Sequence, residues 1–270
     1  MLINDFKNKV VIITGASGSL GRELAFNLAR QGAWISLAAR DRKRLEEVSQ
    51  ECTKLGAKTM IVETNVAQED QCQRLIDETV RKFGRIDALI NNAAFSIKEK
   101  FADLPDLNSY KQVIAVNYFG CVYCTRFALP HLKKSRGRII GVSSVLGKIA
   151  TQGNTAYCSS KFAQSAFFDV LRLELIGTDV SVTMIYPGYL AERMNSKKKD
   201  KISEVKNIFL PILMMKAKTC ADKIIKAAIK RKRQVTMPFY CVVAVWLNFI
   251  MPGLLGSLVS LLNKNRGNSA

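Results

Sequence analysis

The sequence predicts an α/β fold: a doubly wound parallel sheet of about seven strands with helices on both faces, followed by an apolar helical extension at the C-terminus. Three observations carry that prediction. Short apolar runs rich in β-branched residues alternate with stretches of helical periodicity from Lys9 to Tyr186. A glycine-rich turn, GASGSLG, joins the first such run to the first helix. From Gln234 to Asn263 there is no charged residue. With 270 residues, 48% of them hydrophobic, the chain can bury a sizeable core. We place one domain at 1–233, with a substrate lid at 190–218, and a separate apolar segment at 234–270.

Taken in order, Lys9–Thr14 (KVVIIT) reads as a buried parallel strand. The turn after it opens a helix, RELAFNLARQG. Strand, glycine turn and helix form the context of a dinucleotide phosphate site. Gly15 permits the tight turn, Gly21 lets the helix pack on the sheet, and the free N–H groups of the helix start suit a pyrophosphate. Trp34–Ala39 is the second strand, and Arg40, Arg42 and Lys43 follow it. An arginine at this point pairs with a 2′-phosphate, so NADP(H) is preferred over NAD(H), which stays possible. The competing reading is an exposed helix start. Cations are mildly unfavourable there, which leaves several of them without another reason. Thr59–Thr64, a helix over Glu69–Phe83, a strand from Asp87, helical sequence over 106–135, the strand Arg138–Ser143, a helix over 155–176 and the strand Val180–Tyr186 complete the alternation. Gln234–Met237 is a candidate last strand.

The chemistry concentrates between Ser144 and Lys161 (SVLGKIATQGNTAYCSSK). Tyr157 and Lys161 are four apart and share a helix face. An ammonium beside a phenol lowers the phenol's pKa from about 10, and a phenol so tuned can exchange a proton with an alcohol or carbonyl oxygen. Ser144, aimed at the same oxygen, would stabilise the developing charge. The spacing alone is weak, and a surface tyrosine above a solvated lysine fits it as well. The upstream turn decides between them.

The formal net charge is +19, from 41 Lys/Arg and 22 Asp/Glu. It points to an anionic partner. Residues 193–233 hold fourteen of the cations against three acids. Aromatics do not interleave with them, so no nucleic acid is expected. The seven cysteines form no spaced framework and read as reduced thiols facing the cytosol. Cys121-x-x-Cys124 lies in helical sequence and reads as core packing rather than a redox or metal site. With His131 as the single histidine, no metal site is expected.

These motifs together resemble the short-chain dehydrogenase/reductase superfamily over about residues 7–190. They are Thr14-Gly15 to Gly21, Asn91-Asn92-Ala93-Ala94, Asn117, Ser144, Tyr157-x-x-x-Lys161 and Pro187-Gly188. The resemblance implies a Rossmann-type sheet and a catalytic tetrad of Asn117, Ser144, Tyr157 and Lys161. It makes Tyr157 the proton donor in reduction, while Lys161 holds the nicotinamide ribose and lowers the Tyr157 pKa. Ser144 orients the carbonyl and Asn117 anchors a water of the proton relay. Implied cofactor contacts are Gly15, Ser17, Gly18, Ser19, Leu20, Gly21, Arg40, Asn65, Val66, Asn92, Ala93, Tyr157, Lys161, Pro187 and Gly188. Three positions depart from the family pattern. Ser19 stands at the middle glycine of the turn, where its side chain would either crowd or hydrogen-bond the pyrophosphate. Ala94 replaces a glycine, and Asn65 replaces an acid near the adenine. The SSVLGKIA stretch is similar to the family's lipid-directed, membrane-bound members, such as 11β-hydroxysteroid dehydrogenase type 1 and 3-ketodihydrosphingosine reductase.

The apolar tail would suffice in length for one spanning helix, but Pro252-Gly253 divides it and cations flank both ends. It reads as a monotopic hairpin or interfacial helix pair, with the basic 193–233 stretch on anionic lipid. A buried dimer interface and a cover over the sheet are the competing readings. The lid pairs basic residues with the apolar, methionine-containing Ile208–Met215, which suits a greasy pocket. We therefore expect an NADP-dependent oxidoreductase acting on a small apolar lipid such as a steroid, retinoid or long-chain keto-lipid. The alternative is a catalytically weak dinucleotide-binding membrane protein with a scaffold or sensing role. A homodimer and a cytosol-facing membrane location are expected, at the endoplasmic reticulum in a eukaryote or the inner membrane in a bacterium.

Overall fold

The computed structural model describes residues 5–191 and 214–253. Seven strands form one parallel sheet: β1 (Val10–Thr14), β2 (Trp34–Ala39), β3 (Lys58–Glu63), β4 (Ala88–Asn91), β5 (Arg138–Val142), β6 (Ser181–Pro187) and β9 (Gln234–Met237). Their order is β3-β2-β1-β4-β5-β6-β9. All five residues of β1 and all four of β4 are buried, as expected of central strands covered on both faces. The chain winds outward from β1 to β3, then returns to lay β4 on the other side of β1. This reversal opens a crevice at the carboxyl ends of β1 and β4, where ligands of such sheets bind.

Helices α1 (Ser19–Arg30), α2 (Arg42–Lys54), α3 (Glu69–Phe83), α4 (Asn108–Ile114), α5 (Gly120–Ser135), α6 (Thr155–Glu174) and α7 (Ala217–Ile229) surround the sheet. In α3 the buried residues Cys72, Leu75, Ile76 and Thr79 recur at helical spacing. Glu69 and Asp70 in its first turn and Arg81 and Lys82 in its last oppose the helix dipole with the favourable sign. Two apolar clusters result, one on each sheet face. One is built on α1, α2 and α7, the other on α3, α5 and α6.

The structure refines several sequence boundaries. β4 runs from Ala88 rather than Asp87, although the Asp87 N–H still donates to the Val10 carbonyl at 2.8 Å and its carbonyl accepts from the Arg138 N–H at 2.9 Å. The helical stretch 106–135 is not uniform. α4 and α5 are joined through a π-helical segment, Ala115–Phe119, which carries Asn117. Of the lid, Leu190–Ala191 (β7) pairs in parallel with Met215–Lys216 (β8). Met215 is buried in the main core beside α7 rather than lining a greasy pocket. Lid residues 192–213 lie outside the described residues.

The C-terminal extension opens with α8 (Phe239–Ile250), which ends just before Pro252. At twelve residues it is too short to span a bilayer. Among the described residues one run, Asn108–Ser135, is long and apolar enough to do so. It carries Cys121, Cys124, Ala128 and Leu132 into the core. The proposed hairpin partner, beyond residue 253, lies outside the described residues.

The basic run Lys230–Arg233 precedes β9 and α8 follows it, so the two stand at opposite ends of the same edge strand. Arg231 donates to the carbonyls of Asp179 (2.5 Å) and Arg136 (2.7 Å), and Arg233 pairs with Asp169 at 3.5 Å. These two cations brace loops.

Candidate active site

The turn after β1 is shaped by backbone crowding. Gly15 adopts φ +65°, and a Cβ there would stand 2.8 Å from the Ala93 Cα. A Cβ on Gly21 would meet the Gly15 carbonyl oxygen at 2.2 Å. Both positions therefore require glycine for the protein's own packing. Gly18 differs, because a Cβ there would touch only the Gly15 oxygen, at 3.4 Å. Thr14 locks the turn to β4. Its hydroxyl donates to the Ile90 carbonyl and accepts from the N–H groups of Asn92 and Ala93, both at 3.0 Å. The Asn92 amide donates to the carbonyls of Thr14 and Gly15 at 2.9 and 3.2 Å.

α1 starts at this turn with no side-chain cap on its first N–H groups and no acid in its first turn. An uncapped, acid-free helix start facing a cavity fits an anionic diphosphate. Ser19 occupies the first helical position and borders the same cavity. At the end of β2, Asp41 spends its carboxylate on α2, accepting from Arg44 N–H at 3.0 Å and pairing with its guanidinium at 3.2 Å. Arg40 is exposed and, among the described residues, makes no ion pair. Asn65 uses its side-chain oxygen to accept from the Ala67 N–H at 3.2 Å, holding the turn after β3. Val66 packs so closely on Gly120 that a Cβ there would come within 2.8 Å of it.

One cavity of about 1020 Å³ joins these parts. Every cofactor contact implied by the resemblance borders it, from Gly15 through Arg40, Asn65, Asn92 and Tyr157 to Gly188. Ser144 and Lys161 border it as well; Asn117 does not. The Asn117 side chain is fully buried behind the wall. Its oxygen accepts from the Phe95 N–H at 2.7 Å, and its amide donates to the Phe95 carbonyl and the Ser160 hydroxyl, each at 2.9 Å. Asn117 thus ties the loop after β4 to α6, and the π segment turns it to do so.

Ser144 caps a short 3₁₀ turn (Val145–Gly147) by accepting from Leu146 N–H at 3.2 Å. Its hydroxyl neighbours the Tyr157 phenol. Burial pushes the Tyr157 phenol up, and the Ser144 hydroxyl pulls it partly back. The phenol of the protein alone thus stands above its ordinary value, not below it as expected beside Lys161. The Lys161 nitrogen sits 5.7 Å from the Tyr157 ring centroid. It donates instead to the Val142 carbonyl at 3.0 Å and to the Gln164 side-chain oxygen at 3.3 Å. Burial lowers Lys161 to about 8.

The seven cysteines are all free and buried, with Cys121 and Cys124 inside the core. Sequence reasoning missed Gln164 and the clamp made by Thr14. Thr14 is visible as the first letter of the glycine motif. Gln164 has a signal only in its spacing, seven residues after Tyr157 on the same helix face.

A short-chain dehydrogenase family model matches residues 9–203, so the chain belongs to the short-chain dehydrogenase family. It is an NAD(P)-binding oxidoreductase related to hydroxysteroid dehydrogenases. It is 34% identical over 258 residues to 11-beta-hydroxysteroid dehydrogenase A of Sesamum indicum, covering 92% of this chain and 73% of that one. It is 37% identical over 248 residues to 11-beta-hydroxysteroid dehydrogenase-like 4A of Arabidopsis thaliana, covering 92% and 82%. The fold is similar to that of an alcohol dehydrogenase from the archaeon Thermococcus sibiricus, complexed with 5-hydroxy-NADP. The TM-score is 0.74 at 21% identity, covering 86% of this chain and 96% of that one.

Proposed function

We propose that the protein is an NADP-dependent carbonyl reductase, or the reverse alcohol dehydrogenase, for an apolar lipid-like substrate. The observation that carries this reading is the convergence of Ser144, Tyr157 and Lys161 with the phosphate turn on one cavity. Bound NADPH would supply hydride to the carbonyl carbon. Tyr157 gives its phenolic proton to the carbonyl oxygen, Ser144 donates a hydrogen bond to that oxygen, and the charged Lys161 stabilises the phenolate left behind. The alternative, a dinucleotide-binding protein with a scaffold or sensing role, would need no such set of proton-donating groups. Purified protein incubated with NADPH and a panel of steroid, retinoid and long-chain ketones tests the choice. Consumption of NADPH with at least one ketone is expected, and tight binding without any turnover contradicts the proposal.

The positive charge of Lys161 is required, and its nitrogen titrates at about 8. Below that pH the ammonium is present; above it the charge is lost. The kcat/KM for reduction should accordingly be flat below pH 8 and fall as pH rises through it, in a pH-rate profile with saturating cofactor. A flat profile to pH 10 contradicts the role.

NADPH is favoured over NADH because Arg40 is the unengaged cation at the end of β2 and the neighbouring acid is spent on α2. Arg40→Ala should weaken NADPH binding by about 10–100-fold, the scale of a charge-assisted hydrogen bond, while NADH binding stays the same. Fluorescence titration of both cofactors reads the difference.

The apolar substrate class is supported by the wall beside Tyr157. Val145, Leu146 and Ile149 pack there with Tyr240, Ala244 and Val245. The last three belong to α8, whose other side exposes Phe239 (80%), Trp246 (61%) and Phe249 (80%). A helix with one apolar side on the active site and another in solvent supports docking on a lipid surface. Substitution of both Trp246 and Phe249 by Glu should abolish co-sedimentation with anionic phospholipid vesicles while leaving turnover of a water-soluble ketone intact. Retained sedimentation contradicts membrane docking, and a shift from dimer to monomer in the same variant assigns the face to a second copy instead. Deleting the segment after Thr236 is not an equivalent test, because it also removes the wall against Tyr157.

A further inference from the structure

Lys161 is completely buried, yet it must carry a charge to serve the proposed reaction. Burial of an ammonium needs acceptors around it. Among the described residues the Lys161 nitrogen has two, the Val142 carbonyl and the Gln164 amide oxygen. The Gln164 orientation follows from its partners. An ammonium only donates, so the oxygen must face Lys161 and the –NH₂ must face the other way. There it donates to the Cys121 sulfur at 2.8 Å, and the Cys121 thiol donates to the Asn117 carbonyl at 3.2 Å. Burial pushes the Cys121 thiol up to about 11, so it remains neutral and can donate. Lys161, Gln164, Cys121 and Asn117 thus form one buried, directional chain of hydrogen bonds between α6 and the π segment. All four are buried.

We propose that Gln164 is a positioning residue that keeps Lys161 charged and aimed, and that through Cys121 it couples the lysine to the segment carrying Asn117. This inference rests on the catalytic reading of Lys161. The titratable groups that face the lysine are few. Tyr157 lies on its own helix and Cys121 on the π-to-α5 segment, while the β5 side offers the uncharged Val142 carbonyl. Among the described residues no carboxylate or second cation acts on it. Gln164 is therefore the one side chain whose substitution changes the acceptor without altering a neighbouring charge.

The test reads Lys161 directly in the protein without cofactor. Carbon-13-labelled lysine is followed by NMR against pH, and the Lys161 signal is assigned by its loss in Lys161→Met. Gln164→Leu removes the acceptor, so the midpoint should fall by about one pH unit. Gln164→Glu puts a carboxylate at the same place, so the midpoint should rise by about 1–3 pH units. Cys121→Ala frees the far end of the amide and should move the midpoint in the same direction as Gln164→Leu, by less. The alkaline limb of kcat/KM should follow each midpoint. A structural role alone would lower thermal stability and leave the midpoints together. Midpoints unchanged in the folded variants overturn the proposal. If Gln164→Leu or Gln164→Glu fails to fold, the remaining one and Cys121→Ala decide by the direction of the shift. Because the NMR midpoint needs no turnover, absence of ketone reduction would sink the enzymatic reading while leaving the Gln164 result interpretable.

Discussion

Tyr157→Phe should lower kcat for ketone reduction by about 10²–10⁴-fold, the scale of a lost general acid, with NADPH affinity nearly unchanged. The substitution removes one oxygen and leaves the ring against Val145, Leu146 and Cys158. The phosphate turn, Arg40 and Lys161 are untouched, so the cofactor site keeps its shape. Ser144 still caps the turn at Leu146. Steady-state kinetics and cofactor titration on the same preparation separate the two effects. Loss of cofactor binding together with turnover would mean that the phenol is structural.

Gly21→Ala should be the most damaging small substitution in the chain. The added carbon would lie 2.2 Å from the Gly15 oxygen and 2.8 Å from the Ala16 Cα, both backbone atoms that cannot swing aside. Relief requires the start of α1 to move away from β1, which costs about 1–3 kcal/mol of stability. It also displaces the uncapped N–H groups that face the cavity. NADPH affinity should fall by at least about 10-fold, and the melting temperature should drop. Gly18→Ala makes the control. Its carbon meets only one atom, at van der Waals distance, so the apo-protein should melt normally. Thermal unfolding of the two variants, each with and without NADPH, distinguishes protein packing from ligand contact.

The sheet was legible because its central strands are buried on both faces and read as unbroken apolar runs, and because glycines stand where backbones touch. The glycine turn was legible for the same reason, since a turn that must pass under a helix leaves its spacing in the sequence. Three features were not. The π segment at Ala115–Phe119 arises from how α4 and α5 seat on α6, and no local preference in AVNYF announces it. The direction of the Tyr157 titration depends on burial, which a four-residue spacing cannot express. The partners of Arg231 and Arg233, the carbonyls of Asp179 and Arg136 and the carboxylate of Asp169, lie far off in the chain and leave no mark in the local sequence. In each case partners distant in sequence decided the outcome.

In the proposed reaction Tyr157 protonates a carbonyl that receives hydride inside this cavity. Incubation with NADPH deuterated at C4 of the nicotinamide and a responsive lipid ketone, followed by mass spectrometry of the product, tests it most directly. The predicted result is an alcohol carrying deuterium on the former carbonyl carbon with the native protein and almost none with Tyr157→Phe. Equal label with both proteins, or none with either, would contradict it.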